Sequence, residues 1–158
     1  MNQPYDYIEM KIPARPEYVG VIRLTSSGIA GRMGFSYDDI EDLKIAISEA
    51  CTNAVQHAYK TNEKGEVVIG FGLYKDRLEV MVADQGMSFD FQELRNYIGP
   101  YDRENETIEF MREGGLGLYL IEALMDEVKI HQKDGVTVFM TKYLEGEKVE
   151  SDAKTIST

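Results

Sequence analysis

The sequence predicts an α+β fold of two layers, a mixed and mostly antiparallel sheet with its helices on one face. Three observations predict it. Segments in which apolar and polar residues alternate come mostly as hairpin pairs. Segments with helical spacing are gathered between those pairs instead of following each single strand. No long apolar strands of the kind a parallel sheet buries on both faces are present, which argues against a doubly wound sheet.

Taken in order, residues 8–14, IEMKIPA, alternate and read as a first strand, ended by Pro13 and Pro16. From Glu17 to Met33, Val19, Ile22, Ser26 and Ile29 recur at helical spacing, and Gly34 marks an end. Ser36 followed by Asp38 and Asp39 starts a long helix running to Lys60, because a short oxygen side chain caps free N–H groups and carboxylates favour the positive end of the dipole. NEKG at 62–65 is a turn. GEVVIGFGLY (65–74) and DRLEVMVAD (76–84) make a hairpin around Lys75–Asp76. The pattern then dissolves: residues 85–115 mix glycine, proline, charges and scattered aromatics, as a functional lid or a disordered insert does. LGLYLIEALMDE (116–127) is an apolar helix, and VKIHQ and GVTVFMTKY, turning at Asp134–Gly135, close the chain with a second hairpin. The polar tail, 145–158, is expected to be disordered.

A chain of 158 residues holds one domain with a sizeable core. A net charge of −11 argues against wrapping a nucleic-acid backbone, which needs a basic footprint, and leaves either solubility or a basic protein partner as its meaning. No apolar run reaches the roughly 20 residues that cross a bilayer, and the N-terminus lacks the pattern of a secretory signal. One cysteine, Cys51, rules out an internal disulfide framework; the cytoplasm is the expected location.

Three short blocks carry chemistry. In SEACTNAVQHAY, Glu49, Asn53 and His57 fall at i, i+4 and i+8, on one line of the long helix. Either that line faces water, or it faces a cleft in which a carboxylate takes a proton and an amide oxygen serves as a hard metal ligand. In the second block, Asp84-Gln85-Gly86, a strand opens into a loop. It is either a simple turn, or a site where the aspartate accepts an exocyclic amine while the glycine lets a flat ring approach. The third, Gly114-Gly115-Leu116-Gly117, opens a helix, and exposed N–H groups at a helix start suit phosphate. The Walker pattern and a strand-linked G-x-G-x-x-G are both absent, which sets aside the P-loop and dinucleotide folds.

Together the blocks resemble the GHKL ATPase superfamily, whose nucleotide fold is the Bergerat sandwich: Glu49…Asn53 is similar to its N box, Asp84-x-Gly86 to its first glycine box, and Gly115-x-Gly117 to its second. The resemblance spans roughly residues 5–144. Within that superfamily, YIEMKIPARPEYVGVIRLT, EDLKIAISEA, EGGLGLYLIEALMDEV and VTVFMTKYL resemble the anti-sigma-factor serine kinases. The resemblance implies a kinase domain over 1–144. It gives Asn53 the Mg²⁺ that bridges the ATP phosphates and makes Glu49 the base for a partner's serine. Asp84 would take the adenine amine, Gly86 and Thr137 would line the adenine pocket, and Gly115 and Gly117 would lie under the phosphates. Arg23 matches a position that contacts protein partners, and Arg112, beside the second glycine box, is either a phosphate contact or a rim residue.

The same resemblance implies two partners and a homodimer. A sigma factor of the sigma-B type would be held away from RNA polymerase, and a small anti-anti-sigma antagonist of the RsbV type would be phosphorylated on serine. Neither nucleic acid nor membrane is expected as a direct partner. A sequestering module without phosphoryl transfer, or an ATPase acting on water, is the alternative. Two departures stand out. Ser88 replaces the second glycine usual in Asp-x-Gly-x-Gly, and no dimerisation helices with an acceptor histidine precede the domain, which counts against a sensor kinase. His57, inside the N-box helix, is expected to be a structural rim residue.

Overall fold

The computed structural model describes residues 3–61, 65–84, 117–132 and 135–144. Its five strands, β1 (Asp6–Pro13), β2 (Glu66–Leu73), β3 (Arg77–Ala83), β4 (Glu127–Gln132) and β5 (Val136–Tyr143), form one sheet in the order β1-β2-β3-β5-β4. All four pairings are antiparallel. The last strand in sequence is therefore inserted next to β3, and β4 is left at the edge.

Among the described residues, three α-helices form the second layer: α1 (Val19–Met33), α2 (Tyr37–Thr61) and α3 (Gly117–Leu124). Alternation along the strands decides which face they cover. Val67, Ile69, Phe71 and Leu73 of β2, Leu78, Val80 and Val82 of β3, and Val136, Val138 and Met140 of β5 share one core with Ile22, Leu43, Ile47, Ala50, Leu118 and Ile121 of the helices. None of the described helices is long and apolar enough to cross a membrane.

The helix boundaries follow local chemistry. Gly34, at φ 94°, ends α1 in the left-handed conformation that costs glycine little. Ser36 Oγ accepts the Asp39 N–H at 3.2 Å and caps α2. The third helix departs from the expected 116–127 and stops at Leu124. Met125 N–H still reaches Ile121 O at 3.0 Å, but Asp126 N–H turns to Thr141 O at 2.9 Å and Asp126 Oδ2 accepts the Tyr143 N–H at 2.7 Å. Pairing with β5 thus captures the chain three residues before the expected end of the helix. The first strand likewise starts earlier than expected, at Asp6 opposite Leu73.

A buried amine fixes the helices against the sheet. Lys142 Nζ on β5 donates to Leu124 O at 2.6 Å and lies 3.7 Å from Asp39 and 3.6 Å from Asp42. One side chain so joins β5 to the end of α3 and the start of α2, the two helices that carry the site. The expected lid (85–115) and tail (145–158) lie outside the described residues.

Candidate functional site

Asn53 lies on α2 with 3% of its surface exposed, and its Nδ2 has no hydrogen-bond partner among the described residues. A buried amide with an unmet bond costs free energy unless something else completes it. The surroundings show where that something would sit. Gly117, the first residue of α3, comes so close that a Cβ built on it would stand 2.9 Å from Glu49 Oε2 and 3.1 Å from Asn53 Nδ2. The start of α3 is therefore held directly against the carboxylate and the amide of α2. Glu49 is half-buried, one turn before Asn53. Of the two readings of this polar line, the cleft is the one that the packing of α3 along α2 favours.

Asp84 closes the other end. It follows β3 directly and is 6% exposed. Its Oδ1 accepts the Val136 N–H at 2.9 Å, and its own N–H reaches Val136 O at 3.2 Å. Its Oδ2 faces Nδ1 of His57, on the same helical line as Glu49 and Asn53. Thr137 pairs with Ala83 across the β3–β5 ladder, one residue from Asp84, and is half-buried. Eight residues of α2 separate Glu49 from His57, about 12 Å along the axis at 1.5 Å per residue. The helix thus carries one group of polar residues against the start of α3 and another beside the β3–β5 ladder.

Two features around the site were not visible in the sequence. His57 is not a bare rim residue, since it packs against the Asp84 carboxylate; only its place on the Glu49–Asn53 line could have signalled this. The Val136 backbone N–H belongs to the site through main-chain geometry that no side-chain pattern encodes. Arg23 stands apart: it is exposed on α1 and its Nε donates to Ser48 Oγ at 2.9 Å, on the α1–α2 seam. Cys51, between Glu49 and Asn53 in sequence, is buried, and burial pushes its thiol up to about 12, so it offers no nucleophile. Gly86, Ser88, Arg112 and Gly115 lie outside the described residues.

The chain is similar to known proteins. The model of the histidine kinase-like ATPase domain matches residues 12–142. Among curated relatives, the serine-protein kinase RsbW of Bacillus velezensis is 65% identical over 150 residues, covering 95% of this chain and 93% of the relative. The protein of that name from Bacillus subtilis is 63% identical over 152 residues, 96% of this chain and 94% of the relative. A solved structure of the RsbU and RsbW domains of a Mycobacterium tuberculosis protein aligns with a TM-score of 0.62 at 24% identity, over 89% of this chain. That likeness is one of fold, and this chain spans 33% of the mycobacterial one.

Proposed function

The chain belongs to the histidine kinase-like ATPase family and, within it, to the RsbW serine-protein kinases, and we propose that it phosphorylates a serine of a small anti-anti-sigma antagonist and sequesters a sigma factor of the sigma-B type. As an ATP-dependent protein-serine kinase it must hold nucleotide and an incoming hydroxyl together. The observation that carries the reading is the closeness of Gly117 to both Glu49 and Asn53. It joins a carboxylate, a buried amide and a helix start in one place, which is the equipment phosphoryl transfer requires.

The roles divide along α2. Glu49 accepts the proton of the antagonist's serine as its Oγ bonds to the γ-phosphorus, while the bond from that phosphorus to the bridging oxygen breaks and ADP leaves. Asn53, buried one turn after Glu49, would offer its carbonyl Oδ1 to a Mg²⁺, while its unmet Nδ2, a donor, suits a phosphate oxygen. When bound, the metal neutralises charge on the phosphates. Backbone N–H groups at Gly117, with Gly115 before it in sequence, take the phosphate oxygens. Asp84 accepts the adenine amine, and Thr137 and Gly86 line the base pocket. Arg23 is exposed on α1 and available to a protein partner, and the −11 charge suits a basic sigma segment. A homodimer working in the cytoplasm completes the proposal.

Intact-mass spectrometry tests it. The chain is incubated with Mg·ATP and a purified small antagonist of the anti-anti-sigma class, with Glu49→Gln alongside. One added phosphate on the antagonist, lost in Glu49→Gln while ATP still binds, is the expected result. No phosphate on the antagonist despite ATP binding would leave a sequestering module in place of the proposed transfer.

A further inference from the structure

We propose that His57 is a positioning residue for base recognition: from α2 it fixes the orientation of the Asp84 carboxylate that reads the nucleotide's amine. The inference rests on the reading that Asp84 accepts the adenine amine. It assigns a part to a residue whose sequence context suggested only a structural rim.

The geometry carries it. A carboxylate at the end of a strand can rotate about its side-chain bonds, and a rotating acceptor recognises an amine poorly. Asp84 is hydrogen-bonded at one oxygen and faced by an imidazole at the other. Oδ1 takes the Val136 N–H of β5 at 2.9 Å, and Oδ2 meets Nδ1 of His57. These partners come from different layers, one from the sheet and one from the helices, so the carboxylate plane is set by two independent supports. A carboxylate has about four lone-pair directions, and the Val136 N–H with the facing imidazole leaves room for the nucleotide's amine. The Asp84 side chain is 2% exposed and His57 25% exposed, so the imidazole meets a buried acceptor.

The placement of His57 has a further effect. Glu49, Asn53 and His57 share one line of one helix, so the group that orients the base acceptor is rigidly tied to the groups at the phosphate end. A nucleotide with the wrong base edge meets a carboxylate that cannot turn to accommodate it. His57 thereby contributes to selectivity for adenine over guanine nucleotides as well as to affinity.

Steady-state phosphorylation of the antagonist, with ATP and with GTP, separates this from a merely structural role. His57→Leu is expected to raise the KM for ATP about tenfold, leave kcat within about twofold, and narrow the ATP-over-GTP preference about tenfold. His57→Asn, whose amide nitrogen can take the place of Nδ1, is expected to restore most of both. His57→Gln, whose amide reaches the Nε2 position instead, is expected to resemble His57→Leu. If His57→Leu does not fold, the contrast between Asn and Gln decides alone. An unchanged KM and preference in His57→Leu, a kcat that falls in step with KM and melting temperature, or equal behaviour of Asn and Gln overturns the inference. Asp84→Asn distinguishes the layers of the argument. If it leaves the nucleotide preference intact, the reading of Asp84 is wrong and this inference falls with it. If it abolishes the preference while His57→Leu does not, only the role of His57 is lost.

Discussion

Replacing Gly117 by alanine places one methyl group between the two halves of the site. Its carbon would stand 2.9 Å from Glu49 Oε2 and 3.1 Å from Asn53 Nδ2. Ordinary contact begins at about 3.5 Å, so the carboxylate oxygen must retreat by about 0.6 Å and the amide by about 0.4 Å. Both are ends of side chains and can move, so the fold should survive. Alanine also favours helix over glycine by about 1 kcal/mol in a helix interior, and by less at a first residue. The net change in stability is therefore expected within about 1 kcal/mol, a melting shift under about 4 °C for a domain of this size. Transfer is less tolerant: a misplacement of about 1 Å can cost a hundredfold, so a 10- to 100-fold fall in kcat is expected. The assay is antagonist phosphorylation followed by mass, with thermal melting in parallel. Gly28→Ala on α1 is the control, because nothing lies within 4 Å of its added carbon; it should melt higher. Wild-type transfer by Gly117→Ala would refute the claim that Glu49 and Asn53 act where they stand.

Two further outcomes follow from features elsewhere. Ser36→Ala removes the cap on α2 and is expected to lower stability by about 1 kcal/mol in urea unfolding, with the m-value unchanged. Burial raises the Cys51 thiol from 9.0 to about 12, so its contribution is fully present below pH 9 and is lost as pH rises toward 12. In that window the unfolded chain releases a proton that the folded chain keeps, a loss of about 1.4 kcal/mol per pH unit. Cys51→Ala should therefore show a shallower fall in stability between pH 9 and 11, read by urea unfolding at each pH.

Much of this fold was legible because the periodicities were clean. The two apolar runs at 66–73 and 77–83 on either side of a short turn, the Ser36 cap and the Gly34 stop all mark their elements directly. The end of α3 was not legible, because LMDE suits a helix by local preference and only β5, from fifteen residues further on, converts it to strand. Glu49, Asn53 and Asp84 were each visible as residue types that chemistry uses. Their assembly was not: the contact of Gly117 with both α2 side chains links residues more than 60 positions apart, and no spacing rule spans that distance. The His57–Asp84 contact escaped for the same reason.

The strand order has a consequence for how the protein comes into being. Because β5 lies between β3 and β4, the sheet remains a three-stranded fragment until residues 136–143 have left the ribosome. Up to that moment Asp84 lacks the backbone N–H that holds it, and Lys142 has not yet tied α2 to α3. A nascent or truncated chain thus lacks the Asp84–Val136 and Lys142–Leu124 contacts, however well α1 and α2 have formed. Translation therefore supplies the sheet partner of Asp84 last, after the residues that bring Gly117 against Glu49 and Asn53.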